Sequence, residues 1–579
     1  MGKEMDRRRF LKGASLSALG LAGAGLLSSC SAQSETGGEA LTYEQTIAWN
    51  GEYDVVVVGF GGAGAVAAKT AAEEGASVLL VEKAAKGDEG GNTRFCSQMF
   101  AYGNGDEEAT LAYYRALGGD MPLDEDVLQA YATGIAHLCD TYSEAYGLDQ
   151  NEFVIFPYPE FEGSDKVSMA KLSNDEGAYM WQTQYNAVVA LADKIDVWYE
   201  SPAQRLLQDP QSKTVVGVCV KRGGEDLNIR ARNGVILTCG GFENSPTMVK
   251  DYLGMGKYAP LGTINNTGDG IRMAMEAGAD LWHMHSVETM HVFGGLCYMV
   301  EEGQRSQQVA YDSGFMAGSV VLVGTDGYRY LREDELPRHG HMYQNGVWMT
   351  VRHPERSFLV YDQTQADAVE AAGKVPEVEL AKAVSATTLA ELAQTIGAKE
   401  DALAQTIADF NKAAAEGHDP AFQRSAESMR AFDQGPYYAL ELMPDILNTQ
   451  GGPRRNANAE VVDAQGTPIP HLYAAGECGG VASNMYQGGG NMAECLIFGQ
   501  LAGVGAAAEK DPLPVLPMGV ASEIVYTQGS GSHEVDPDPA ASAKLGENEY
   551  LGTSTLCMGN ELAVKVKMEG DKIAAIDIV

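Results

Sequence analysis

In the stretch Tyr53-Asp-Val-Val-Val-Val-Gly59-Phe-Gly61-Gly62-Ala63-Gly64-Ala-Val-Ala-Ala-Lys69, four successive valines run into spaced glycines and then into an alanine-rich segment. A continuous β-branched run suits a parallel strand buried on both faces, and the glycines turn it into a helix. Gly59 permits the tight turn, Gly61 lets backbone approach a pyrophosphate, and Gly64 allows the helix to pack closely on the strand. At Gly62 and Ala63 the helix begins, offering unpaired N–H groups and the positive end of its dipole. A second strand over residues 77–81 ends in Glu82, eighteen residues after Gly64, with Lys83 next to it. A carboxylate there accepts a hydrogen bond from a ribose hydroxyl. Strand, glycine turn, helix, second strand and terminal acid together predict a dinucleotide site rather than an ordinary glycine turn.

Other glycine-rich stretches fall into place around this unit. Gly90-Gly91-Asn92-Thr93 is a loop whose backbone can reach the cofactor, and Gly234-Val-Ile-Leu-Thr-Cys239-Gly240-Gly241 is another buried strand entering a glycine turn. The pattern returns late, at Leu472-Tyr-Ala-Ala-Gly476-Glu477 and at Gly488-Gly489-Gly490-Asn491, followed by an apolar helix. The nucleotide domain is therefore split in sequence, with a separate domain between its halves. The expected organisation is a first part over 51–280, an inserted capping and substrate domain over 281–440, and a second part over 441–510. A Pro-, Ser- and acid-rich linker over 511–550 leads to a β segment over 551–579.

At 579 residues the chain can hold two or more domains. Its 45% hydrophobic and 21% charged residues are those of a folded globular protein rather than a disordered one. The net charge of -38 argues against nucleic acid or anionic lipid as a partner. Nine cysteines include no Cys-x-x-Cys pair, so no haem-c, iron–sulfur or cysteine-rich zinc site is read. His283, His285, His291, His339, His341 and His353 gather in one region without a helical His-x-x-x-His spacing, which favours a pocket lining over a metal site.

The N-terminus reads as a targeting segment. Arg7-Arg8-Arg9-Phe10-Leu11-Lys12 precedes a mildly apolar run over 14–27, which resembles a twin-arginine export signal. That run is shorter than the ~20 apolar residues of a spanning helix. Leu27-Ser28-Ser29-Cys30 resembles a lipoprotein processing box, in which Cys30 would be acylated and tether the protein to the outer face of the cytoplasmic membrane. The alternative is a cysteine beside an ordinary cleavage site. Residues 1–30 are thus the signal and 31–50 a polar tether.

From residue 53 to about residue 510 the chain resembles the flavoprotein subunit of the flavocytochrome c fumarate reductase family, which includes urocanate reductases and 3-ketosteroid dehydrogenases. The resemblance rests on Gly59, Gly61 and Gly64 with Glu82, on Gly90-Gly91-Asn92, on Thr238-Cys239-Gly240-Gly241, and on Ala475-Gly476-Glu477 with Gly490-Asn491. It implies an α/β, Rossmann-like FAD-binding domain with an inserted α+β cap, FAD held between them, and hydride transfer between the flavin and a carbon conjugated with a carbonyl.

The same resemblance implies Arg338 as proton donor, following Arg329-Tyr330-Leu331-Arg332-Glu333 one residue later than the family pattern; Glu333 belongs to that motif. The family's carboxylate clamps are largely missing. Asn448 stands in place of a histidine, and Met485-Tyr486-Gln487 in place of an Asn-Arg pair, so fumarate is a poor substrate. Ser313 and Met316 replace a glutamate and an arginine of the proton relay, leaving Asp312 as the nearest acid. Tyr486 and the following glycines instead resemble the ketosteroid dehydrogenases, in which a phenol and a glycine N–H, here Gly490, grip a ketone oxygen. Gln487 replaces that motif's proline. His291 and Tyr343 are further pocket candidates.

The expected protein is an exported FAD-dependent reductase that saturates a C=C bond conjugated to a carbonyl, fed by an external cytochrome or FMN protein. A ketosteroid-type desaturase and a non-catalytic electron-carrying flavoprotein are the alternatives. The C-terminal segment resembles the opening strands of FMN-binding domains, but its Ser-Gly-Ala-Thr flavinylation motif is absent and bound FMN is not expected.

Overall fold

The first β-strand, β1 (Gly51–Val58), carries the valine run. Val55 and Val57 are buried in the core on one face of the sheet, Val56 and Val58 in the core on the other. This two-sided burial is why the run does not alternate with polar residues. Helix α1 (Gly62–Glu73) follows, then β2 (Val78–Val81), parallel to β1. After several helices the sheet gains β3 (Ile195–Trp198), parallel to β2, and a meander of β4 (Ala203–Gln208), β5 (Val215–Arg222) and β6 (Glu225–Leu237). The long β6 pairs parallel with β1 from Ile229 to Leu237, while its other edge pairs first with β5 and later with the sheet's last-formed strand.

The computed structural model describes residues 42–510, apart from 122–123, 147–151, 155–157, 172–178, 337 and 345, and residues 543–578, apart from 558–559. The expected export signal, Cys30, and most of the linker over 511–550 lie outside the described residues. Two units are resolved, Met1–Leu516 and Pro517–Val579.

Within the first unit the chain leaves the nucleotide domain through two short antiparallel ribbons: Leu281–Trp282 against Gly452–Pro453, and Val287–Glu288 against Asn448–Thr449. Beyond them lies the cap sheet of β7 (Leu296–Tyr298), β8 (Val320–Gly324), β9 (Ser357–Asp362) and β10 (Tyr437–Ile446), in the order β7-β10-β9-β8. Amphipathic helices Leu389–Ile396 and Glu400–Glu416 cover it, the first opened by a Thr388/Glu391 capping box.

The return to the nucleotide domain adds β11 (Glu460–Val462) and β12 (Pro468–Ala474), the latter parallel to β6. The sheet order is β11-β12-β6-β1-β2-β3. Helix α2 (Gly490–Ala507) then packs on α1, where a Cβ at Gly503 would stand 2.7 Å from Thr70 Cβ and one at Gly499 2.9 Å from the Ala63 carbonyl. The second unit is a three-stranded antiparallel sheet, Glu549–Cys557, Asn560–Glu569 and Lys572–Ile578.

Candidate active site

A cleft runs along the C-terminal ends of β1, β2 and β6, with about 820 Å³ of empty space, its open mouth included. Gly59, Gly61, Gly62, Ala63, Glu82, Lys83, Gly91, Asn92, Thr93, Cys239, Gly240, Gly476 and Glu477 line it. Each glycine answers to a different constraint. Gly59 has φ +105°, and a Cβ there would stand 2.5 Å from the Thr238 carbonyl. A Cβ at Gly64 would come within 1.9 Å of the Gly59 carbonyl, so Gly64 serves helix-strand packing and not the cleft wall. At Gly61 a Cβ would meet nothing nearer than the Gly90 carbonyl at 3.6 Å, so its bareness keeps open space where a ligand's phosphates would approach.

At the end of β2 the Glu82 carboxylate accepts the Phe60 N–H and the Ala84 N–H, each at 2.7 Å. Its remaining lone pairs face the cleft, as a ribose-binding acid requires. Lys83 turns aside, bonded at 2.7 Å to Thr267 and Asp269. These residues fit an FAD.

Glu477, on the wall of the same cleft, belongs to an acid pair that the motifs only half reveal. Asn92 Nδ2 donates to Glu243 Oε1 and to Glu477 Oε2, both at 2.8 Å, and Asn266 Nδ2 donates to Glu243 at 2.8 Å. Two buried carboxyls sharing one amide cannot both ionise cheaply. Burial pushes Glu243 up to about 7; burial and the charge of Glu243 raise Glu477. Glu243 sits three residues past Gly240, and no spacing in the sequence pairs it with Glu477.

Beyond the cleft, the tight turn over residues 338–341 is closed by backbone hydrogen bonds between Arg338 and His341. It presents three side chains to Tyr486 and its neighbours. His339 meets the Tyr486 ring edge-on, with centroids 4.8 Å apart, and His291 lies 4.1 Å from His339 on its other side. His341 Nδ1 is 3.8 Å from Glu288, and the Arg338 guanidinium covers the Tyr158 ring at 4.6 Å. The Tyr158 hydroxyl in turn donates to the Tyr486 carbonyl.

Buried polar atoms without a hydrogen-bond partner concentrate here: both Glu288 carboxyl oxygens, His339 Nδ1, His341 Nδ1, Asn448 Nδ2 and Gln450 Oε1. An unmet buried donor or acceptor costs about 1–3 kcal/mol, so such a cluster marks a place made for a polar ligand. Burial lowers His339 and His341 and raises Glu288, shifting each towards its uncharged form. Burial also raises the Tyr486 phenol, keeping its proton available to donate.

Some expected roles change. The Gly490 N–H donates to the Gln487 carbonyl at 2.9 Å and its carbonyl accepts the Tyr131 hydroxyl, so it is not a free donor for a ketone. The N–H beside the phenol is that of Asn491, which donates to the Tyr486 hydroxyl at 3.4 Å; Asn491 sits here rather than along the cofactor cleft. Glu333 is fully buried in the cap, held by Arg329, Arg424 and the Leu322 N–H, and belongs to the cap's own ion cluster. Tyr343 is exposed, on a hairpin with Trp348. Arg338 is at the rim, its side chain 35% exposed and 3.3 Å from Glu160. Glu288 and Tyr158 carry no motif and emerge only from the fold, whereas His339 belongs to the histidine cluster read as a pocket lining.

The comparisons agree with this architecture. The chain matches the family described as FAD binding domain over residues 54–492. It is 27% identical over 558 residues to a digoxin reductase of Eggerthella lenta, covering 87% of this chain and 97% of that protein. The open conformation of a flavocytochrome c3 fumarate reductase superposes with a TM-score of 0.60 at 26% identity, covering 79% of this chain and 78% of that one. A 3-ketosteroid-Δ4-(5α)-dehydrogenase of Rhodococcus jostii RHA1 gives a TM-score of 0.59 at 26% identity, over 81% and 99%. With a cleft built for FAD and a family match covering most of its length, the chain belongs to the FAD binding domain family and is an FAD-dependent oxidoreductase.

Proposed function

We propose that this protein is an exported reductase that saturates a C=C bond conjugated to a carbonyl, an enone or enoate serving as respiratory electron acceptor. The observation that carries this reading is the group of six unmet buried polar atoms gathered around Tyr486. The relatives named as a digoxin reductase and a fumarate reductase support the direction.

When bound in the cleft, FAD would supply the hydride for the substrate's β-carbon. Tyr486 donates its phenolic proton to a hydrogen bond with the carbonyl oxygen and so stabilises the enolate charge developing there. The Asn491 N–H, at the N-terminus of α2, polarises that phenol. Arg338 delivers the proton to the α-carbon and regains one through Glu160 at the solvent edge. His291 and His339 line the pocket. The electron donor is an external cytochrome or FMN protein linked to quinol. The twin-arginine segment and Cys30 support a location outside the cytoplasm with a membrane tether; among the described residues no helix is long and apolar enough to cross a membrane.

The test is anaerobic stopped-flow reoxidation of the dithionite-reduced holoprotein with fumarate, urocanate, cinnamates, an enone and a 4-ene-3-ketosteroid. Rapid reoxidation by an enone or aryl enoate, and not by fumarate, is expected. Fumarate as best acceptor would overturn the reading of the clamp positions. Equal slow reoxidation by all would favour an electron carrier, and steroid desaturation by the oxidised enzyme would favour the reverse reaction.

A further inference from the structure

Glu288 stands on the ribbon where the chain crosses from the nucleotide domain into the cap, paired with Asn448. Its side chain is wholly buried, and neither carboxyl oxygen has a hydrogen-bond partner. His341 Nδ1 stands off at 3.8 Å, the Gln450 amide faces it, and the phenols of Tyr158 and Tyr486 lie within reach of its field. His339 is held nearby, its carbonyl accepting the Thr289 N–H. The one arginine of the turn, Arg338, is directed over Tyr158 towards Glu160 instead. An ionised carboxylate in these surroundings would face neither a cation nor water, a cost that protonation removes. The un-ionised acid, in contrast, has an O–H to give, and among the described residues neither of its oxygens is placed at hydrogen-bond distance from a partner.

We propose that Glu288 is held as the neutral carboxylic acid and donates its O–H to an oxygen of the substrate, a second hydrogen bond beside that of Tyr486. The proposal rests on the reductase reading above and narrows its substrate class. A substrate gripped at two oxygens by two neutral donors is an uncharged molecule with a second oxygen function, such as a ketone, lactone or hydroxyl. A carboxylate would meet two neutral donors there, with the Arg338 guanidinium already engaged over Tyr158 and with Glu160. His341, 3.8 Å from Glu288, completes the wall.

The test uses the FAD-loaded protein and infrared difference spectra of wild type against Glu288→Gln and Glu288→Asp. We expect the C=O stretch of an un-ionised acid to persist in the wild type at about pH 8, to vanish in Glu288→Gln, and to move in frequency in Glu288→Asp. On adding a 4-ene-3-ketosteroid that perturbs the flavin absorbance, the band should shift. In turnover, Glu288→Gln keeps a donor and holds KM close to the wild-type value, whereas Glu288→Leu raises KM about tenfold, the worth of one hydrogen bond, with kcat little changed. Absence of the acid band would overturn the proposal, as would a ligand that perturbs the flavin without moving it. If no ligand perturbs the flavin and none reoxidises it, the reductase reading fails instead, and the band still reports the protonation state.

Discussion

The imidazole of His339 meets the ring of Tyr486 edge-on at 4.8 Å, so the cap holds the phenol through a side chain that is itself buried and uncharged. His339 adopts φ +48°, a backbone conformation that a non-glycine residue takes only when its surroundings impose it. The turn is pinned from both ends by Arg338–His341 backbone hydrogen bonds, and a Cβ at Gly340 would fall 2.3 Å from Thr289 Oγ1. The cap therefore fixes the ring position, and the N-terminus of α2 fixes the hydroxyl.

Replacing Tyr486 by Phe keeps the ring and the packing on His339 and removes only the hydroxyl. If that hydroxyl stabilises the enolate, kcat with an enone should fall about 10²–10³-fold, as when one oxyanion donor is deleted. Bound FAD and thermal stability should stay near wild type. Stopped-flow reoxidation checks the first and flavin absorbance with a melting curve the second; an unchanged kcat would remove Tyr486 from the chemistry.

Gly61 and Gly64 look equivalent in the motif and differ in the fold. A methyl at Gly64 collides with the Gly59 carbonyl at 1.9 Å and with Thr238 Oγ1 at 2.8 Å. Gly64→Ala should destabilise the apoprotein by about 1–3 kcal/mol or more, as overpacking does. Gly61 has φ -100° and open space, so Gly61→Ala should fold normally and yet lose FAD, because the methyl occupies the approach to the phosphates. Melting temperature of the apoprotein and flavin retention after gel filtration separate the two outcomes.

How much of this was legible in the sequence follows from the range of each interaction. The β1 valines, the three glycines and Glu82 are local features, and each constrains its own neighbourhood. Tyr486 was readable because it adjoins a glycine run. The Gly490 N–H is beyond the reach of motif reading, because it is taken by the Gln487 carbonyl, three residues away, in a turn that no motif specifies. Glu288, Glu243 and His339 acquire meaning only from partners far along the chain: Glu288 from His341, Glu243 from Glu477, and His339 from Tyr486. Glu333 shows the opposite failure, a motif position whose partners Arg329 and Arg424 make it part of the cap core.

That placement of Glu333 can be checked directly. Its carboxylate is buried between two guanidiniums, so Glu333→Gln leaves Arg329 and Arg424 under-compensated in the interior. Breaking such a buried pair costs about 3–5 kcal/mol, partly relieved here because Arg329 also pairs with Asp419 at 3.0 Å. The variant should unfold at lower denaturant concentration while its folded fraction keeps wild-type kcat and KM. A selective loss of kcat with stability intact would return Glu333 to the reaction.

The acid pair at the cofactor cleft gives the pH prediction. Burial lifts Glu243 to about 7, and burial with the charge of Glu243 raises Glu477. A carboxyl whose pKa is higher folded than unfolded stabilises the fold relative to the ionised chain below its ordinary value, near 4.3, and that stability is lost as pH rises towards the folded value. The apoprotein should therefore lose stability between about pH 4.5 and about pH 7 through this pair. Glu243→Gln removes one titrating group and lowers the barrier to ionising Glu477, because the charge that raised it is gone. The variant's stability should fall less over the same window, so that its melting temperature relative to wild type rises from pH 5 to pH 7. Asn92 can still donate to a glutamine oxygen in the place of Glu243 Oε1, so the geometry at 2.8 Å need not change. Parallel melting curves for wild type and variant across that window would show the pair as an electrostatic liability the cleft retains for its cofactor, or, if identical in slope, as a pair that never holds a shared proton.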